Sequence, residues 1–189
     1  MMTFLSGLLL FLGVHSIALF NRDWRDAMAA RLGAGPWKIL YSVASLVGFI
    51  LLLQGYEMTR AAPIILYAPP SVLHAVTLVL MVPVFPLLFA VYLPGRIKAR
   101  ARHPMLLATK IWATAHLLVN GNLADVILFA SLLAWAVALR IALKRRGTPV
   151  PVIGENAGRN DLIALTLGLL TYGAFILGLH AHLIGVGVT

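Results

Sequence analysis

The chain has 189 residues, of which 61% are hydrophobic and 11% charged, with a formal net charge of +9 and no cysteine. A soluble domain carries about 25% charged and about 45–50% apolar residues, so this composition excludes an ordinary water-soluble globule and asks for lipid as solvent. The missing thiols exclude disulfides, thiolate metal sites and a cysteine nucleophile. The basic residues cluster beside the apolar runs, where the orientation signals of membrane proteins sit, so the expected partner is the lipid bilayer and not nucleic acid.

A spanning helix takes roughly 20 mostly apolar residues. The expected architecture is therefore all-α: one transmembrane domain over residues 1–189, an integral membrane bundle of about six helices with short loops. The first apolar run, 3–20, lacks the basic leader and A-x-A-like site of a signal peptide and reads as a retained span. Residues 21–38 carry Arg22, Arg25 and Arg31, read as an amphipathic turn or two at the interface, and contain a turn at Gly33-Ala34-Gly35-Pro36. The second span is 39–58. The third, 71–93, holds Pro83 and Pro86, which remove backbone donors and predict a kink. A basic loop with Arg96, Lys98, Arg100 and Arg102 leads to a short fourth span, 105–119, containing Lys110. Asn120-Gly121-Asn122 is a tight turn, which makes an antiparallel hairpin with the fifth span, 123–143. A polar, Pro/Gly-rich segment follows, and Asp161 is placed to cap the sixth span, 162–188. Loops one and three hold four Lys/Arg each and loop five at least four, whereas the opposite face holds Arg60. That bias predicts loops one, three and five in the cytoplasm and both termini outside; a five-span chain would strand one basic cluster on the wrong side.

Ionisable groups inside a membrane are functional candidates, and the chain has six histidines. Counted at the helical rise from the basic loops, His15 lies about 10 Å and His116 about 20 Å deep, on either side of the midplane of a ~30 Å core. His103 sits at the inner surface, and His74, His180 and His182 lie near the outer one. Imidazole is a common axial ligand of haem iron, so His15 and His116 are the candidate pair for one haem, with tilt and side-chain reach left to absorb a depth mismatch of about 10 Å. The alternative is hydrogen bonding between helices. Met105, Thr109, Trp112, His116 and Asn120 fall on one helix face, expected to look into the bundle. Val14 and Ile17 offer the His15 ring no partner, which leaves Ser16. Asp125 and Gln54 read as interfacial. No carboxylate pair, Ser-His-Asp set or phosphate-binding Gly-rich loop is visible.

The stretch from Arg102-His103-Pro104 through Trp112 and His116 to Asn120-Gly121-Asn122, a pattern R-H-P-x7-W-x3-H-x3-N-G, resembles the signature of the NnrU family, and His15-Ser16 followed by Arg22 fits as well. These are small bacterial membrane proteins associated with denitrification and nitric oxide metabolism, so the resemblance implies a bacterial inner membrane. The family is similar to the plant zeta-carotene isomerase, which uses haem b. By that resemblance His15 and His116 are the implied iron ligands and haem b the implied cofactor. Arg22 and Arg102, each bordering a ligand-bearing helix, are the implied propionate partners, and His103, Trp112 and Asn120 complete the cofactor site. The isomerase carries a further histidine-containing segment where this chain has Trp135, and its H-S-G is His15-Ser16-Ile17 here. Three readings follow. One is a haem-b protein with isomerase-like or redox chemistry on a lipophilic small molecule. The second is a non-catalytic accessory or assembly factor for nitrite or nitric oxide reductase. The third is an S-adenosylmethionine-dependent membrane methyltransferase, suggested by R-H-P, with Glu155 as the main acid available to it.

Overall fold

Inside hydrocarbon every backbone N–H and C=O must find a partner within the protein, and a continuous helix does this with no help from neighbours. The apolar runs obey that rule in the computed structural model, which describes residues 1–188; Thr189 lies outside the described residues. The helices are α1 (Met2–Phe20), α2 (Arg22–Leu32), α3 (Ala34–Arg60), α4 (Val72–Met81), α5 (Val84–Ala90), α6 (Arg96–Ala101), α7 (Pro104–Val119), α8 (Leu123–Arg145), α9 (Ala157–Ala174) and, after a π-helical turn at Phe175–Leu179, α10 (His180–Ile184). Five helical stretches are long and apolar enough to cross a membrane: α1, α3, α4 with α5, α8, and α9 through α10. The remaining expected span, the fourth, is α7, a 16-residue apolar helix shorter than these five.

Neighbours in space follow a row. Helix α1 lies along α3, α8 packs on α1 and α7, α7 packs on α4 and α5, and α5 packs on α9. At the end away from the basic loops, Arg60 joins the two ends of the row by donating to Ile184 O at 2.6 Å. Most apolar side chains point outward, such as Leu170 at 66% and Val79 at 71% exposure; in a bilayer that surface meets acyl chains. The α1–α3 contact is close because α3 presents Gly48 and Gly55, and α1 presents Gly7. A Cβ at any of the three would overlap the facing backbone, at Phe11, Phe4 and Leu52 respectively. Without a hydrophobic drive between helices in lipid, such small-residue contacts do the packing. Two small cores result: Phe4, Leu8, Leu52 and Ala124 between α1, α3 and α8, and Val84, Leu87 and Ala108 with Ile97 and Trp112 between α5, α6 and α7.

The expected kink falls at Pro83, between α4 and α5. Three local expectations are corrected. The basic loop before the fourth span contains α6, whose first N–H groups, Arg96 N and Ile97 N, donate to Asp161 at 3.0 Å each. Asp161 therefore caps α6, not its own helix, which starts earlier at Ala157. The turn at residues 33–36 reduces to Gly33, with φ +84, since Ala34 already begins α3.

Candidate functional site

The α1–α2–α3 junction at the basic end encloses a pocket of about 440 Å³, lined by His15, Arg25, Trp37, Lys38, Tyr41 and Ser42 among others. Sequence builds it directly. Asn21 stops α1 and caps α2 through its side-chain oxygen, which accepts from Trp24 N at 3.0 Å. Helix α2 then folds back so that Trp24 meets Trp37 of α3 edge-on, and Arg25 is carried to the pocket wall. Trp37, Lys38, Tyr41 and Ser42 have the 1-4-5 spacing of one helix face.

The His15 ring is held from three sides. It lies over Phe11 at 4.3 Å and edge-on to Tyr41 at 5.5 Å and Trp135 at 6.1 Å between ring centres. Its Nδ1 is 2.7 Å from Phe11 O. A carbonyl only accepts, so Nδ1 carries a hydrogen, and in the neutral ring Nε2 keeps the lone pair through which imidazole binds a metal. The expected lack of a ring partner is thus corrected: the partner is the carbonyl one helical turn back. Beside the ring the buried indole N–H of Trp135 makes no hydrogen bond, and on the pocket wall Arg25 Nε makes none either but is ion-paired with Asp26 Oδ1 at 3.1 Å.

His116 lies elsewhere. Its Nδ1 donates to Trp112 O at 2.9 Å, and its ring packs on Trp112 and Phe129 at 5.0 and 4.7 Å. Both histidines lean on α8, but His15 meets Trp135 and His116 meets Phe129. Six residues of α8 separate those contacts, which is about 9 Å of rise and roughly 120° around the axis. His116 is not among the residues that line the His15 pocket, and the contacts of the two histidines along α8 are offset in the same sense as the depths counted from the sequence. Of the predicted face of α7, Trp112 and His116 do look inward. Met105 is 45% exposed, and Thr109 bonds back to Met105 O. Asn120 ends the helix with its amide on His116 O.

The remaining predicted residues scatter. Arg22 is paired with Asp26 on the surface of α2. Arg102 and His103 sit at the α6–α7 junction, where burial first, then the charges of Arg140 and Arg102, hold His103 below the ordinary imidazole range. Asp125, in the first turn of α8, is buried at 3% exposure; it accepts from the Tyr56 hydroxyl and the Asn122 amide and ties α3 to the α7–α8 hairpin. Arg25, Trp37, Lys38, Tyr41 and Ser42 line the pocket without having been among the predicted site residues. The i, i+3, i+4 spacing of Lys38, Tyr41 and Ser42 was a signal within reach.

A haem is testable against these side chains. Its iron needs a free imidazole nitrogen and its propionates need cations. The His15 pocket offers the first at Nε2 and the second at Arg25 and Lys38, with an unused indole donor beside them. The residues around His15 fit the group; His116, which meets α8 six residues away from Trp135, is not among those that line this pocket. The family model described as NnrU protein matches residues 3–188. No curated protein and no solved structure matches the chain.

Proposed function

The chain belongs to the NnrU family, and from that premise we propose that it is an integral membrane protein that binds haem b in the pocket at the α1–α2–α3 junction, with His15 as the axial ligand. The observation that supports this most is the state of His15: Nδ1–H is spent on Phe11 O, so Nε2 is left free in a pocket that also holds Arg25 and Lys38. When bound, haem would supply a redox-active iron at the basic end of the bundle. Arg25 and Lys38 would hold the propionates, and Trp37 and Tyr41 would cover the ring. The family's association with denitrification and nitric oxide metabolism gives the setting. It is compatible both with chemistry on a lipophilic small molecule and with an accessory role toward nitrite or nitric oxide reductase. The methyltransferase reading draws nothing from the geometry, since the R-H-P stretch is met by Arg140 and not by an acid.

The test is titration of the detergent-purified full chain with haemin, followed by the Soret band. A saturating 1:1 complex is expected in the wild type, and roughly tenfold weaker binding, about 1.4 kcal/mol, in an R25Q/K38Q double variant. Wild-type protein that retains no haem through size-exclusion would overturn the reading.

A further inference from the structure

A second basic cluster lies apart from the His15 pocket, at the junction of α6, α7 and α8. Arg102 joins α6 to α7 with φ +60 and ψ −46, and among the described residues it is the one non-glycine position with positive φ. The N–H of His103 closes on Ala101 O at 2.6 Å, which makes this the strained hand of the γ-turn. Pro104 follows and keeps His103 out of the helical region, at φ −132 and ψ 72. The His103 ring is then docked on the last turns of α8: its Nε2 is 3.3 Å from Thr148 Oγ1, whose hydroxyl donates to Leu143 O at 3.0 Å. Arg140 lies one turn before Leu143, half-buried, and its charge and that of Arg102 both reach His103.

No anion answers these cations. The ion pairs among the described residues are Arg22–Asp26 and Arg25–Asp26, and Asp161, which caps the other end of α6, is spent on that helix's backbone. Arg140 is also deep for an arginine. It sits five residues, about 7.5 Å, inside the end of α8, where an unpaired charge is costly unless something answers it. The face of α8 that carries it reads Val137, Arg140, Ile141 and Lys144, an i, i+3, i+4, i+7 stripe, and Val137 and Ile141 are 40% and 46% exposed.

We propose that Arg102 and Arg140, brought to one junction by the docked His103 turn, form a binding site for the phosphate of an anionic phospholipid headgroup, with the acyl chains lying along Val137 and Ile141. Guanidinium groups bind phosphate oxygens in a fork. A lipid explains what a free anion does not: the cations stand at the foot of an outward apolar stripe, at the depth where headgroup gives way to hydrocarbon. The site is independent of the His15 pocket and of any haem.

The test uses delipidated full-length protein in an uncharged detergent, with its melting temperature followed against short-chain phosphatidylglycerol, short-chain phosphatidylcholine and inorganic phosphate. A saturable rise is expected with phosphatidylglycerol, less than half that rise with phosphatidylcholine, and none with phosphate at equal concentration. R140Q and R102Q should lose the rise, R140K should keep part of it, and R31Q and H15A should keep it whole. Arg102 is exposed, so R102Q reports on binding even if R140Q does not fold. An undiminished rise in R102Q, or an equal rise with phosphatidylcholine, overturns the site. A rise with phosphate alone as large as that with the lipid overturns the lipid as occupant.

Discussion

The carbonyl of Phe11 decides which nitrogen of His15 is left to bind a ligand, and the same device, the carbonyl of Trp112, orients His116. What separates the two histidines is company. His15 has cations and an unused indole donor nearby, whereas the His116 ring packs on Trp112 and Phe129. The sequence made both visible as intramembrane imidazoles and even showed their offset in depth. It did not show that the offset is real in space, because that depends on how α8 lies between α1 and α7. Nor did it reveal Arg25, which reaches the pocket only because α2 folds back. At the same scale His103 gives a pH prediction. Its folded-state value is lowered by burial and by Arg140 and Arg102, so the folded chain takes up its proton less readily than the unfolded chain. Its contribution to stability is whole above about pH 6.5 and falls as pH drops from there to the lowered value. Melting between pH 7.5 and 5 in lipid-free detergent should show a loss in the wild type that is smaller in H103Q. An identical pH dependence in the two proteins would contradict the arrangement.

Helix elements were legible wherever one principle sufficed. Unbroken apolar runs became helices, Pro83 became the break within the third span, and Asn120-Gly121-Asn122 became the hairpin turn. The elements that were not legible depend on distant partners. Helix α6 is six residues long and begins where a carboxylate from α9 caps it; nothing within residues 94–103 announces it. The π-helical turn breaks the sixth span at Gly178, with φ +143, inside an apolar run whose hydrophobicity gives no notice. The α1–α3 contact is the element on which the candidate pocket depends, since one wall comes from each helix. G55V places a branched side chain against the Phe4 backbone. Overpacking of this kind costs about 1–3 kcal/mol, so the variant should melt several degrees lower in detergent and lose haem with it, while G173V, where a Cβ meets nothing, should do neither. Equal melting of G55V and wild type would mean that the close approach is not a feature of the molecule.

At the scale of the whole molecule, composition alone made the chain a membrane bundle, and the helices with their outward apolar faces carry that out. The number of crossings turns on α7, which at 16 residues spans about 24 Å and is shorter than a ~30 Å core. The basic loops all fall on one side only if α7 crosses. A periplasm-only reporter fused after Thr189 should therefore be active, and activity of a cytoplasm-only reporter at the same place would contradict six crossings. Within that frame the proposed site is a haem held by His15 at the basic end. The most direct measurement is the ferric and ferrous absorption spectrum of the haem-loaded protein beside its H15A and H116A variants, purified identically. The account predicts that H15A loses the haem or its ligand-field signature, and that H116A keeps the wild-type spectrum. A wild-type spectrum in H15A, or equal loss in both variants, would contradict it.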